Sequence, residues 1–203
     1  MTKIKICGLF RECDIDYVNE AKPDYIGFIL NFPKSHRNIT PEFAKQLKDR
    51  LAPGIRAVGV FVNQEIKQVI DAAETIGLDV IQLHGAEDDE YIARLRSELR
   101  QRSVQIWKAF KIRSAEDIEP ARRSNADEIL LDNGYGTGQA FDWSLAGGFD
   151  REFILAGGLT PENLREAIHT LKPKLVDISS GVETEKVKDR EKILAAVSTV
   201  REG

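Results

Sequence analysis

Cysteine is scarce in this chain: Cys7 and Cys13 are the only two among 203 residues. Their C-x5-C spacing suits neither a disulfide framework nor the common zinc and redox motifs. It points instead to a reducing, cytoplasmic setting. Three histidines and scattered acids form no cluster with ligand spacing, so no metal is expected. No apolar run approaches the roughly 18–20 residues that cross a bilayer. The first residues lack a signal-peptide core, and no membrane partner is expected. Positive charge is not in excess: the formal net charge is −4, which argues against a nucleic-acid surface. No Pro/Gly/Ser-rich linker interrupts the chain, so residues 1–203 are expected to form one domain.

What the chain does contain is a periodic series of short apolar runs. They are KIKIC (3–7), YIGFIL (25–30), RAVGVFV (56–62), VIQL (80–83), VQIWKAF (104–110), EILLD (128–132), FILA (153–156) and LVDIS (175–179), starting about 25 residues apart. Helical patterns fill most of the intervals. Thr40-Pro41 and Thr160-Pro161 read as an N-cap followed by proline at the first helical position. Ile66, Val69, Ile70 and Ala73 keep helical spacing, with Gly77 as terminator. Tyr91, Ile92, Leu95 and Leu99 mark a fourth helix, and Ile193, Val197 and Val200 the last. The sixth interval holds only a weak helix signal, from Phe141 to Leu145. Strands alternating with helices make parallel βαβ units, and eight of them predict a closed (β/α)8 TIM barrel, shorter than the usual ~250 residues. An open doubly wound sheet is the alternative. It usually has fewer strands and a glycine-rich first loop, and Gly8-Leu9-Phe10-Arg11 lacks the GxGxxG pattern.

In such barrels the chemistry sits at the C-terminal ends of the strands. Cys7 ends the first run. A free cysteine is ordinarily a small buried hydrophobe, but here it precedes Gly8 at the barrel mouth. There a thiol can serve as a base if its ordinary pKa of ~8.5 is lowered or the site draws off its proton. Cys13 falls in the first helix and reads as structural. Asp132 ends an apolar run. It either caps the next loop or is a carboxyl whose partial burial keeps a proton available. The Gly134–Gly138 loop beside it could close over a substrate.

Ala156-Gly157-Gly158-Leu159 and Ser179-Ser180-Gly181-Val182-Glu183 follow the seventh and eighth strands, where barrels commonly bind phosphate. Arg37, after the second strand, could clamp a carboxylate. His84 ends the fourth strand, as a loop histidine or a ligand contact. Asp177 alternates with Val176 and Ile178, so it faces away from them and could orient neighbouring loops. Lys108, within the fifth strand, reads as a stem threading out of the barrel more readily than as a Schiff-base lysine.

The motifs Lys5-Ile6-Cys7-Gly8, Gln82-Leu83-His84-Gly85, Leu131-Asp132 with Gly136-Thr137-Gly138 and Phe141-Asp142-Trp143, Gly157-Gly158-Leu159 with Pro161-Glu162-Asn163, and Val176 to Glu183 occur in order over essentially the whole chain. Together they resemble the phosphoribosylanthranilate isomerase family. The resemblance implies a TIM-barrel isomerase of tryptophan biosynthesis performing an Amadori rearrangement without a cofactor. Cys7 would be the general base and Asp132 the general acid. Arg37 would hold the anthranilate carboxylate, and the glycine loops would hold the phosphate. Substrate-binding positions are then expected at Arg37, His84, Gly157, Gly158, Asp177, Ser180 and Gly181. The resemblance further implies a small phosphorylated substrate as partner and a monomer or homodimer. Tyr135 stands where the family often has glycine, and His36 where proline is common. A related histidine-pathway isomerase carries aspartate in place of Cys7. A third reading is a non-catalytic barrel that binds a sugar phosphate.

Overall fold

Strands buried on both faces read as continuous hydrophobic runs rich in β-branched residues, and each of the eight runs forms one. The computed structural model describes residues 1–99, 103–132, 145–146 and 148–202. Its principal strands are β1 (Lys3–Cys7), β2 (Tyr25–Leu30), β3 (Arg56–Phe61), β4 (Val80–Leu83), β5 (Gln105–Lys111), β6 (Glu128–Asp132), β7 (Phe153–Ala156) and β8 (Leu175–Ile178). They pair in parallel in chain order, and β1 pairs with both β2 and β8, which closes the barrel. Register sets Lys5 opposite Asp177 and Cys7 opposite Gly27. Asn38–Ile39 adds a short parallel segment beside the end of β2.

Seven α-helices lie among the described residues: α1 (Glu12–Ala21), α2 (Pro41–Asp49), α3 (Ile66–Ile76), α4 (Asp89–Glu98), α5 (Ile118–Arg123), α6 (Leu164–Leu171) and α7 (Arg190–Glu202). The Thr40 hydroxyl accepts from the Phe43 amide with Pro41 in the first turn, as the sequence predicts. Gly77 ends α3 in the left-handed region. The second expected cap differs. Helix α6 begins at Leu164, and the Thr160 amide donates to Asn163 Oδ1 at 2.8 Å. Among the described residues, no side-chain hydrogen bond caps the start of α6, whose cap residue is Asn163. The helix expected near Phe141–Leu145 and the Gly134–Gly138 loop fall largely or wholly outside the described residues.

Period-two alternation divides the apolar residues into two cores. Ile4, Ile6, Ile81, Leu83, Leu131, Leu155, Val176 and Ile178 pack outward beneath the helices. A second cluster, Tyr25, Val58, Val80, Trp107, Ala109, Leu130, Ile154, Ala156 and Leu175, fills the barrel. Tyr25 and Trp107 meet edge to face inside it, with ring centroids 5.0 Å apart. Burying a large side chain in this way contributes about 1.5–3 kcal/mol. With the lower barrel filled, the open space is left at the strand C-termini.

Candidate active site

Strand ends and the loops that follow them build one cavity of about 370 Å3 at the barrel mouth. Cys7, Arg37, His84, Asp132, Gly157, Gly158, Asp177 and Ser180 all line it. Gly181, expected with them, is not among the lining residues. It packs under the preceding loop, where a Cβ would come within 1.9 Å of the Leu159 carbonyl oxygen. Gly157 and Gly158 have φ of +91° and +65°, a conformation that L side chains rarely adopt. They turn the chain at the cavity edge. A larger and more open cleft of about 630 Å3 lies alongside, between the β4 and β5 loops, and shares His84.

On the β1–β8 side the polar groups are buried and paired. Lys5 is 0% exposed, and its Nζ donates to both Asp177 carboxylate oxygens at 3.0 and 2.9 Å. Arg37 spans the mouth to Glu183 with two parallel hydrogen bonds of 2.6 Å, from Nε and Nη2. That uses one edge of its fork; the Nη1/Nη2 edge is the one a ligand carboxylate would take. Lys188 Nζ donates to Glu183 Oε1 at 2.6 Å and to the Ser179 carbonyl at 3.0 Å.

A short hairpin makes the last arrangement. Glu183–Thr184 pairs with Val187–Lys188, and register sets Glu183 opposite Lys188. The two turn residues, Glu185 and Lys186, both take positive φ, as a two-residue type I′ hairpin turn requires. Burial opposes the charge on Glu183, yet Arg37 and Lys188 together hold its carboxyl below the usual range. Burial pushes the Cys7 thiol up, against the pull of Lys5 and Lys188.

The β4–β6 side is more open. His84 Nε2 lies 3.2 Å from Asp132 Oδ2, with the two side chains 26% and 17% exposed. Gln82 Nε2 is 3.1 Å from His84 Nδ1, so the imidazole bridges an amide and a carboxylate. Gln82 Oε1 is buried without a hydrogen-bond partner among the described residues. The loop carrying His84 is braced from below. Glu87 accepts from the Gly85 and Asn63 amides at 2.8 and 2.6 Å. Lys108 reaches the Gly85 carbonyl at 2.7 Å and Glu87 at 3.3 Å. Lys108 therefore leaves the barrel wall outward, as expected from the sequence, and serves as a brace.

Sequence reasoning gave no role to Lys5, Gln82, Glu183 or Lys188. Two of them carried a usable signal. Lys5 and Gln82 sit at positions where alternation points into the barrel, and a polar residue there needs a partner. Lys188 carried none, because a two-residue strand has no period to read.

A closed parallel barrel with a thiol, a carboxylate, a histidine and an arginine around one mouth places the protein among the TIM barrels, with ionisable side chains gathered at the strand C-termini. Comparison with known proteins narrows this. The family model for N-(5′-phosphoribosyl)anthranilate (PRA) isomerase matches residues 4–199. The N-(5′-phosphoribosyl)anthranilate isomerase of Acetivibrio thermocellus is 43% identical over 214 residues, covering 100% of this chain and 97% of its own length. The crystal structure of the isomerase from Thermotoga maritima superposes with a TM-score of 0.90 at 35% identity, covering 100% of both chains. A phosphoribosyl anthranilate isomerase in complex with reduced 1-(o-carboxyphenylamino)-1-deoxyribulose 5-phosphate gives 0.87 at 35% identity, again over 100% of both. The chain belongs to the phosphoribosylanthranilate isomerase family, enzymes of the isomerase class.

Proposed function

We propose that this chain converts N-(5-phosphoribosyl)anthranilate to 1-(2-carboxyphenylamino)-1-deoxyribulose 5-phosphate in tryptophan biosynthesis, with Cys7 as general base and Asp132 as general acid. The observation that carries this reading is that Cys7 and Asp132, from β1 and β6, border the same cavity. Asp132 protonates the ribose ring oxygen, and the bond from that oxygen to C1 breaks as the anthranilate nitrogen lone pair forms the C=N bond of a protonated imine. Cys7, as thiolate, removes the proton from C2, and the electron pair moves onto the nitrogen to give an enolamine. Loss of the C2 hydroxyl proton and gain of one at C1 yield the ketone. The substrate nitrogen is the electron sink, so the chemistry asks for no added metal or organic cofactor.

Two anionic ends hold the sugar between the acid and the base. The Arg37 fork suits the anthranilate carboxylate, and the Gly157-Gly158 and Ser180 edge suits the phosphate. His84 and Asp177 complete the binding surface, and Gly181 supports it from beneath. The chain acts as a monomer or homodimer in the cytoplasm.

The test is the fall in fluorescence when freshly made N-(5-phosphoribosyl)anthranilate meets the purified protein. Cys7→Ala, still folded by circular dichroism, should lower kcat by roughly 10²–10⁴-fold. A wild-type protein that leaves the fluorescence unchanged overturns the reaction, and a Cys7→Ala variant with full turnover overturns the base.

A further inference from the structure

We propose that Lys5 is a positioning residue for Cys7, its ammonium group lying between the Asp177 carboxylate and the Cys7 sulfur as the counter-ion of the thiolate. The proposal rests on the reading of Cys7 as the base, and deepens it.

Four observations support it. First, Lys5 and Cys7 are two residues apart on one strand, so their side chains share the inner face of the barrel. Second, both border the same notch at Gly27. A Cβ built on Gly27 would lie 2.9 Å from Cys7 Sγ and 3.1 Å from Lys5 Nζ. Glycine on β2 is thus what lets the sulfur and the ammonium share that space. Third, the ammonium has three protons, and Asp177 takes two hydrogen bonds from it. Fourth, a buried lysine–carboxylate pair is a weak source of stability. Apolar residues of similar volume commonly do as well or better. A buried pair beneath a cavity, with its lysine two residues before a thiol on the same strand, calls for another role.

The charges around Cys7 agree. Lys5 faces it from β1, Asp177 from β8 and Lys188 from the hairpin, while β2 contributes only Gly27. Arg37 and Glu183 lie at the rim, and His84 and Asp132 across the cavity. On the near side three cations, Lys5, Arg37 and Lys188, meet two carboxylates, Asp177 and Glu183. One positive charge is left over, and a thiolate at Cys7 balances it. Burial is the main influence raising the thiol, and Lys5 is the largest one opposing it.

The experiment uses the whole enzyme carrying Cys13→Ser, so that only Cys7 reports. The rate of iodoacetamide alkylation is measured against pH for Lys5→Met, Asp177→Asn, the double variant and Lys5→Arg, alongside the pH dependence of kcat. Lys5→Met should move the alkylation midpoint up by about one pH unit or more. At neutral pH that lowers kcat about tenfold, with KM little changed. Asp177→Asn should move the midpoint down, and Lys5→Arg should restore it towards wild type. Should Lys5→Met fail to fold, the double variant removes both charges without stranding either, and its midpoint should still lie above wild type. Midpoints that stay at the wild-type value in Asp177→Asn and in the lysine variants overturn the proposal. If the midpoints shift while the kcat profile does not follow, the Lys5–Cys7 pairing stands and Cys7 as the base falls.

Discussion

The two sides of the cavity are built differently. Around β1 and β8, five ionisable side chains sit in bidentate or buried pairs, and Lys5 and Lys188 have no side-chain exposure. Around β4 and β6, a histidine and an aspartate meet at 3.2 Å and remain partly exposed. The difference matches what the proposed mechanism asks of each side. A buried thiol needs fixed positive charge to ionise, because burial opposes its charged form. An acid that gives up a proton in every cycle must recover one, and partial exposure keeps that route short. On the proposed mechanism, fixed charge on one side and solvent access on the other would let one cavity hold both a base and an acid.

The largest effect that would sharpen this contrast is at Asp132. Asp132→Asn removes the acid and leaves the paired side intact, so kcat should fall roughly 10²–10⁴-fold with the melting temperature nearly unchanged. A loss below tenfold in the fluorescence assay would mean that the open side does not supply the proton.

Glu183→Gln attacks the paired side. It leaves Arg37 and Lys188 facing each other without their shared carboxylate. Removing one partner of a buried pair costs on the order of 3 kcal/mol, read as a shift in urea midpoint. The sign with pH follows from the depressed carboxyl of Glu183. Its contribution is present above the unfolded value of ~4.3 and is lost as pH falls through the lower folded value. Wild type should therefore lose more stability than Glu183→Gln on acidification below about pH 4. Equal losses would show that the rim pair carries no net stabilisation.

The smallest expected effect is at His84. His84→Asn removes a hydrogen bond to a partly exposed carboxylate, so kcat should fall about 2- to 10-fold. A far larger loss would make the histidine an obligatory proton carrier and erase the contrast between the two sides.

Much of this was legible from one dimension. The eight runs coincide with the eight barrel strands to within a residue or so, because β-branched runs bounded by turn residues have few other ways to be buried. Alternation in LVDIS sets Asp177 on the opposite face from Val176 and Ile178, and the structure puts Asp177 on the cavity side and the other two beneath the helices. Strand ends then pointed to Cys7, His84 and Asp132. The cap expected at Thr160 differs because Asn163, three residues on, turns its side chain back to accept from the Thr160 amide, a choice settled by side-chain geometry. The sequence marks Arg37 as a clamp for a carboxylate but gives no sign of its pairing with Glu183. The hairpin that delivers Glu183 and Lys188 was also missed.

Strand and helix positions, and which residues end a strand, follow from short-range pattern, since period and turn chemistry act over a few neighbours. Which charge meets which does not. Lys5 and Asp177 are 172 residues apart, and Arg37 and Glu183 are 146 apart. Only closure of β1 onto β8 brings the two ends of the chain together, and the register of that closure selects the partners.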